Sequence, residues 1–220
     1  MKYDKLLLHI PHSSSVFPLD ENYLDNAEAQ FTLDNLTDWY TDELFNFVHN
    51  KVDKVVFPFS RLFCDVERYN DDREPMLKQG MGVYYTHGLN GKRFRKEVTS
   101  TIELVENIYN EHHYKMREIL SNNDRLKTLL VDCHSFSPKR FKNDGVQGGS
   151  DDMLSIVDIS LGYNDSHNSA MVEKMQKLFE DLGYLVSMNH YYKGAMDYGY
   201  SNCDSIMIEV NKKLYIDEFN

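Results

Sequence analysis

Two histidines stand where a hydrophobic run gives way to polar residues, and they are the strongest chemical signal in the sequence. His12 follows an apolar run at residues 6–10, and His134 follows another at residues 126–133. Neutral imidazole is a common ligand of zinc, and ligands of open α/β sheets bind beyond the carboxyl ends of strands. We therefore expect both imidazoles to reach one crevice, where they could bind a metal ion together.

Two acidic residues occupy positions from which they could assist such a site. Asp132 lies two positions before His134, hence on the same side of a strand, and could be a ligand or the acceptor that orients a histidine. Glu209 lies inside an apolar run, where burial would raise its pKa and suit it to act as a general base. The pattern equally allows a Glu209 that faces solvent or pairs with Lys212 or Lys213.

Arg61 and Arg68 flank a third apolar stretch. The planar guanidinium group of arginine suits the recognition of a carboxylate, although such arginines can also be surface salt-bridge partners. The other histidines are weaker candidates. His9 lacks a second ligand nearby in the sequence, and the pair His112 and His113 is expected on the solvent-facing side of a helix.

The elements that must position these residues alternate along the chain, which predicts an α/β fold. The candidate strands, several of them continuous apolar runs, are residues 5–10, 54–59, 61–66, 126–133, 154–159, 184–188 and 205–210. Continuous runs are typical of strands covered on both faces. The candidate helices are residues 37–49, 94–120 and 168–182, of which the second could be broken in two. A polar segment, residues 143–152, is long enough to form a lid.

Composition restricts the class of protein. With 220 residues and no linker, the chain is expected to form one domain over residues 1–220. The formal net charge of −11 argues against nucleic-acid or anionic-membrane partners. No apolar stretch reaches the roughly 20 residues of a membrane span, and the N-terminus lacks signal-peptide features, so a cytoplasmic location is expected. The three scattered cysteines indicate neither a disulfide framework nor a cysteine zinc site.

Six segments together resemble the N-formylglutamate amidohydrolase family, within the wider group of zinc carboxypeptidase-like and succinylglutamate desuccinylase-like hydrolases. They stand in the family's order and span most of the chain. They are Ile10-Pro11-His12-Ser13, Thr37-Asp38-Trp39-Tyr40, Ser60-Arg61 with Asp65-Val66-Glu67-Arg68, Asp132-Cys133-His134-Ser135-Phe136, Asp158-Ile159-Ser160-Leu161-Gly162 and Ile208-Glu209-Val210-Asn211. The resemblance implies a three-layer α/β/α fold of the phosphorylase/hydrolase type, with a mixed, mostly parallel central sheet.

The same resemblance implies amide hydrolysis with one zinc ion per chain, although another divalent metal is possible. His12 and His134 would be ligands, together with a carboxylate that lies between them in the sequence. We assign this carboxylate to Asp38, in the Asp-Trp stretch, with Asp34 as the local competitor. Glu209 corresponds to the general base that takes a proton from the metal-activated water.

The resemblance also implies roles for three residues in substrate recognition. Arg61 would stabilise the oxyanion and contact the substrate, Arg68 would bind the substrate's carboxylate, and Asn189 lies in a loop that shapes the pocket. Two segments depart from the family pattern. Glu67 stands where the family usually has Asn, and the segment after Asn189 has Tyr191 in place of Pro and Ala195 in place of the second Gly.

The most favoured function is hydrolysis of the amide of an N-acyl amino acid, most simply an N-formyl amino acid such as N-formylglutamate. A zinc peptidase or cell-wall amidase on the same scaffold is the first alternative, with a short peptide as substrate. A non-catalytic domain that binds a metal or an amino acid is the second. The oligomeric state is not predicted.

Overall fold

A six-stranded sheet forms the centre of the computed structural model, which describes residues 3–19, 23–122, 128–144, 151–164, 169–189 and 203–217. The strands are β1 (Lys5–Ile10), β2 (Val52–Val56), β3 (Thr128–Phe136), β4 (Ile159–Gly162), β5 (Val186–Met188) and β6 (Asp204–Asn211). In spatial order they are β2, β1, β3, β6, β4 and β5. β1 is parallel to β2 and β3, β3 is parallel to β6, and β4 is antiparallel to β6 but parallel to β5. This confirms the predicted α/β class with a mixed, mostly parallel sheet.

Five helices accompany the sheet in the described part of the chain: α1 (Asn26–Leu36), α2 (Thr41–Leu44), α3 (Thr99–Asn122), α4 (Asp151–Ile156) and α5 (Ser169–Asp181). Short 3-10 turns occur at Leu77–Gln79 and Lys212–Leu214. The Asp25 side chain caps α1 by accepting the backbone N–H of Glu28, which satisfies one of the amides that have no partner within a helix. α3 is unbroken.

Hydrophobic clusters cover both faces of the sheet. Because side chains alternate along a strand, Leu8 and Val131 point to the face covered by α5, where Met171 and Val172 join their cluster. Leu7 and Leu130 point to the other face and pack with Met116 and Leu120 of α3. Burial on both sides explains why β3 reads as a continuous apolar run, and the arrangement gives the layers α/β/α.

The face toward α3 changes from apolar to polar along the strands. On β1, Leu7 is followed by His9, and on β3, Leu130 is followed by Asp132 and His134. All five side chains are buried. A polar site therefore begins inside the core and ends at the carboxyl ends of the parallel strands, where ligands of such sheets bind.

The predicted helix at residues 37–49 is wrong apart from the single turn of α2. Of the apolar residues that would share one face of such a helix, Tyr40, Leu44 and Val48 are 54%, 44% and 98% exposed, and Phe45 alone packs against the core. Tyr40 also has a positive φ of 63°, which interrupts helical geometry. The preceding helix α1 was missed.

Two predicted strands are also wrong. Residues 61–66 form turns in which the amides of Phe63 and Cys64 both donate to the carbonyl of Ser60. Their apolar side chains pack into two separate clusters around α1 and α3, so periodicity could not distinguish this buried turn from a strand. Residues 154–159 contain the end of α4, and β4 begins only at Ile159.

Other expectations are only partly addressed by the structure. Most of the predicted lid, residues 143–152, lies outside the described residues; within it, Asn143 donates to the carbonyl of Gly88. Among the described residues no helix combines the length and the apolar character that a bilayer-spanning helix needs. The single domain and the cytoplasmic location stay predictions.

Candidate metal centre

His12 and His134 lie side by side at the ends of neighbouring parallel strands. Their ring centroids are 5.2 Å apart, and the rings are tilted by 54° to each other. Their residues are 1% and 4% exposed. The structure therefore brings together the two histidines that the strand-end argument selected.

Asp38 completes a group of three with these histidines. Its backbone N–H donates to the carbonyl of His12 at 2.9 Å, which fixes the segment after α1 against the end of β1. Its Oδ2 atom lies 3.1 Å from Nδ1 of His134 and 3.7 Å from Nδ1 of His12. Burial alone would raise the pKa of Asp38, but the proximity of His12 and the hydrogen bond with His134 bring it below its usual range. Asp34, the competitor, lies on α1 and accepts from Gln30 on an exposed surface.

The second ring nitrogen of each histidine faces another carboxylate. Nε2 of His12 is 2.9 Å from Oδ1 of Asp65. Nε2 of His134 is 3.1 Å from Glu67 and 3.4 Å from Asp132. A carboxylate on one nitrogen fixes the tautomer and leaves the lone pair of the other nitrogen for a metal. Nδ1 of His12 is buried and has no hydrogen-bond partner.

Glu67 is the residue whose importance the sequence did not indicate. One donor atom each from His12, Glu67 and His134 lies within 4.8 Å of the others, and a Glu67 oxygen is 3.6 Å from Nδ1 of His12. Its carboxylate thus stands beside the histidines as a second acidic candidate. The feature of the sequence that could have pointed to Glu67 was its position before Arg68, where it departs from the family pattern.

Glu209 is buried in the same site. Its residue is paired in register with His134 across β6 and β3, so both side chains project from the same face of the sheet. It is 5% exposed, and its Oε2 atom has no hydrogen-bond partner. Burial first, and then the charges of Asp38 and Glu67, raise the pKa of Glu209 to about 8, although His134 opposes this shift. The alternative of a solvent-facing Glu209 is wrong.

Asp65 links the histidine site to both arginines and is a further residue that sequence reasoning missed. Nε and Nη2 of Arg61 donate to its Oδ2 at 3.2 and 2.9 Å, and the Tyr85 hydroxyl donates to the same atom at 2.7 Å. Nε of Arg68 lies 3.4 Å from it. Burial opposes ionisation, but Arg61 and His12 hold the pKa of Asp65 well below its usual range.

The more accessible side of the site is bordered by charged side chains. The side chains of Arg61, Glu67 and Arg68 are 15%, 17% and 20% exposed, whereas those of His12 and Asp38 are at most 4% exposed. A substrate that reached the histidines from this side would therefore meet two guanidinium groups. Arg68 also contacts the Glu74 carboxylate and the Tyr85 hydroxyl, which hold its guanidinium group in place.

Asn189 lies at the end of the strand β5 region, and its side-chain amide is already engaged. Its Oδ1 accepts the N–H of Tyr163 and its Nδ2 donates to the carbonyl of Tyr163, both at 2.8 Å. These bonds join the residue that follows β4 to the residue that follows β5. The role of Asn189 in substrate binding stays a prediction, and residues 190–202, including Tyr191, lie outside the described residues.

The other histidines behave differently from expectation. His112 and His113 are 6% and 3% exposed, so their prediction as a solvent-facing pair is wrong. The His112 ring contacts His9 of β1, and the His113 ring contacts the carbonyl of Val66 in the turn segment. His9 also has neighbours that the sequence did not reveal, because Asp132 and His112 reach its two ring nitrogens.

Comparisons with known proteins agree with this architecture. The solved N-formylglutamate amidohydrolase from Ralstonia eutropha JMP134 superposes with a TM-score of 0.77 at 19% identity, over 99% of this chain and 85% of that chain. A gene product from Agrobacterium tumefaciens gives a TM-score of 0.61 at 19% identity, over 97% of this chain and 82% of its own. No curated protein matches the sequence. These structural similarities concern the fold.

The sequence comparison reaches further than the fold. Residues 4–216 match the family described as N-formylglutamate amidohydrolase. The match covers both histidines, Asp38 and Glu209, and includes nearly every described residue. The chain therefore belongs to the N-formylglutamate amidohydrolase family.

Proposed function

We propose that this chain is a zinc-dependent amidohydrolase that cleaves the amide of an N-acyl amino acid, most simply an N-formyl amino acid such as N-formylglutamate. Family membership supports amidohydrolase activity. The main support for zinc dependence is the arrangement of His12 and His134. Both direct Nδ1 toward Asp38, while their other ring nitrogens face carboxylates.

The donor groups fit a metal ion. A buried polar nitrogen without a partner is costly, and Nδ1 of His12 is such an atom. Two imidazoles and one carboxylate form a typical catalytic zinc set, which leaves a further position open. Burial and the charge of Arg61 lower the pKa of His12, but Asp65 and Asp38 bring it above its usual range, and Glu67 and Asp132 hold the pKa of His134 well above its usual range despite burial. The carboxylates around the two rings therefore favour positive charge at this site.

We assign Asp38, rather than Glu67, as the acidic ligand. With Asp38, both histidines would bind through Nδ1, and each Nε2 would keep its carboxylate partner. With Glu67, His134 would have to bind through Nε2, where Asp132 also lies at 3.4 Å. The first arrangement keeps the contacts of Asp65 with His12 and of Glu67 with His134, and it leaves the 3.6 Å approach of Glu67 to Nδ1 of His12 unused. Glu67 then orients His134 from its other side.

Glu209 is assigned the proton transfers. When bound, a zinc ion acts as a Lewis acid and makes water more acidic. The unpartnered Oε2 of Glu209 can accept a proton from the attacking water and return it to the departing amide nitrogen. A carboxyl group with a pKa of about 8 can exist in both forms near neutral pH.

The two arginines are assigned to the substrate. Arg61 is placed to stabilise the negative charge that develops on the amide oxygen, and Asp65 holds its guanidinium group in a fixed orientation. Arg68, at the more accessible side, is assigned to the substrate's carboxylate. The Glu67 carboxylate is turned toward the histidines, so it is occupied there while Arg68 binds an anion.

A hydrolysis screen tests this function. Purified chain loaded with zinc is assayed against N-formyl, N-acetyl and N-succinyl amino acids and short peptides, with N-formyl amino acid amides as controls that lack the carboxylate. We expect release of the acyl group from an N-formyl amino acid, with loss of activity on chelation and recovery on zinc addition. Cleavage of peptides alone would contradict the proposal in favour of a peptidase, and no cleavage by fully loaded protein would contradict both.

A further inference from the structure

A chain of buried polar groups leads from His134 into the contact between the sheet and α3. Oδ1 of Asp132 lies 3.4 Å from Nε2 of His134 and 2.8 Å from Nδ1 of His9. Nε2 of His9 lies 2.9 Å from Nε2 of His112. The four residues are 4%, 1%, 0% and 6% exposed in that order. Groups on two strands and one helix are therefore joined without access to bulk water.

The hydrogen-bond roles within this series of buried side chains can be assigned from its Asp132 end. A carboxylate only accepts, so Nδ1 of His9 must carry the proton in its contact with Asp132. Nε2 of His9 and Nε2 of His112, 2.9 Å apart, share the next hydrogen bond. Burial first, and then the charge of His9, lower the pKa of His112 to about 2, so this ring is neutral.

The packing around these hydrogen-bonded side chains holds them in place. β1 and β3 are in register with His9 beside Asp132. The ring of Phe57 meets the His112 ring edge to face, with centroids 5.2 Å apart. Both histidines therefore have little freedom to rotate away from their partners, and Asp132 receives its hydrogen bond from a rigid donor.

We propose that His9 and His112 are positioning residues that act through Asp132 on His134. The inference rests on the proposed metal site. The Asp132 carboxylate, which His9 holds from its far side, lies beside Glu67 at Nε2 of His134, and the two carboxylates together keep Nδ1 of His134 directed at Asp38. A hydrophobic ring at position 112 would leave Nε2 of His9 without its hydrogen-bond partner, allow the His9 ring to turn, and loosen Asp132.

Adjacent residues on α3 provide the experiment and its control. His112→Phe removes the hydrogen-bond partner of His9, and His112→Gln retains a polar amide group of similar reach. His113→Phe changes an equally buried neighbour that bonds instead to the carbonyl of Val66. The measurements are zinc affinity by chelator competition, metal equivalents per chain, the visible spectrum of the cobalt-substituted protein, and the melting temperature of the metal-free protein.

We expect His112→Phe to weaken zinc binding roughly tenfold and to alter the cobalt spectrum, because loss of such partners typically costs metal affinity on that scale. His112→Gln should recover most of this loss, whereas His113→Phe should change the melting temperature but neither the affinity nor the spectrum. If His112→Phe does not fold, His9→Asn serves instead. Its amide retains a donor to Asp132 but loses the contact with His112, and weaker zinc binding is again expected.

Three results would overturn the inference. Equal zinc affinities for His112→Phe and His113→Phe in folded proteins would show that the hydrogen-bonded pair His9 and His112 has only a structural role. Two metal equivalents per wild-type chain, with one lost in His9→Asn, would show that His9, Glu67 and Asp132 bind a metal themselves, since their donor atoms lie within 4.8 Å of one another. Wild-type protein that binds no metal would reject the metal site, and this role with it.

Discussion

Nε2 of His12 lies 2.9 Å from Oδ1 of Asp65, and both side chains are buried. His12 follows a strand, but Asp65 lies in a turn, where its backbone N–H is fixed by the carbonyl of Val83. The contact therefore joins a regular element to an irregular segment. Its effect is to direct the free nitrogen of His12 toward Asp38.

We expect Asp65→Asn to weaken zinc binding by roughly 10-fold to 100-fold, because His12 loses the carboxylate that fixes its tautomer. The same change removes the shared partner of Arg61 and Arg68, so catalytic turnover should fall as well. Chelator competition measures the affinity. Asp34→Asn is the control, because this carboxylate is exposed and bonds only locally to Gln30; comparable losses in the two variants would contradict the assignment of Asp65.

The choice of acidic ligand is tested by two further substitutions. Asp38→Asn should lower the zinc content of the purified protein more than Glu67→Gln does, because Asp38 is assigned as the direct ligand and Glu67 as an orienting group. Asp34→Asn should leave the zinc content unchanged. Elemental analysis of freshly purified variants gives the comparison. A larger loss in Glu67→Gln would transfer the ligand role to Glu67 and require His134 to bind through Nε2.

His113 should make stability fall at acidic pH. Burial first, and then the charge of His9, lower its pKa to about 4, whereas an unfolded histidine titrates near about 6.5. Between these values the unfolded chain binds more protons. The stabilisation is therefore complete above about pH 6.5 and is lost as the pH falls toward about 4, by on the order of 3 kcal/mol.

The matched variant for this effect is His113→Gln, which retains a donor for the carbonyl of Val66 but cannot titrate. Chemical unfolding of metal-free protein between about pH 7 and about pH 4.5 should show a shallower fall in the free energy of unfolding for the variant, by up to about 1.4 kcal/mol per pH unit. Parallel curves for the variant and the wild type would contradict the buried, neutral state of His113.

The three cysteines should be unreactive in the folded protein. Cys64 and Cys133 are fully buried and Cys203 is 8% exposed. Burial also raises the pKa of Cys64 and of Cys133, which disfavours the reactive thiolate. A thiol-reactive chromogenic reagent near pH 8 should label almost none of them before denaturant is added, and all three afterwards. Rapid labelling of one thiol in native protein would show that its surroundings open readily.

The sequence was most informative where one regular element determines a position. His12, His134 and Glu209 were identified from apolar runs that end in, or contain, a polar residue, and these runs are β1, β3 and β6. Parallel pairing then brings the three residues together, because register within the sheet follows from burial on both faces. Asp38 was selected only through the family resemblance, and it lies in an irregular segment.

Residues that depend on irregular structure or on long-range packing were missed. Asp65 lies in a buried segment that reads as a strand, and Glu67 lies just beyond it. The contact that defines Asp65 crosses 53 positions of sequence. His112 lies on a helix with few apolar residues near it in the sequence, so its polar surroundings predicted exposure. Its burial follows from the partner His9 on β1, 103 positions away, and such a partner is not visible from local periodicity.

Turnover by Glu209→Gln, measured beside its zinc content, tests the central proposal most directly. The substitution removes the proton acceptor but preserves the shape of a buried side chain that has no assigned ligand role. We predict a folded protein with wild-type zinc content whose hydrolysis of the best N-formyl amino acid falls roughly 100-fold or more. Near-normal turnover by the zinc-loaded variant would contradict the assignment of Glu209 as general base and the mechanism that depends on it.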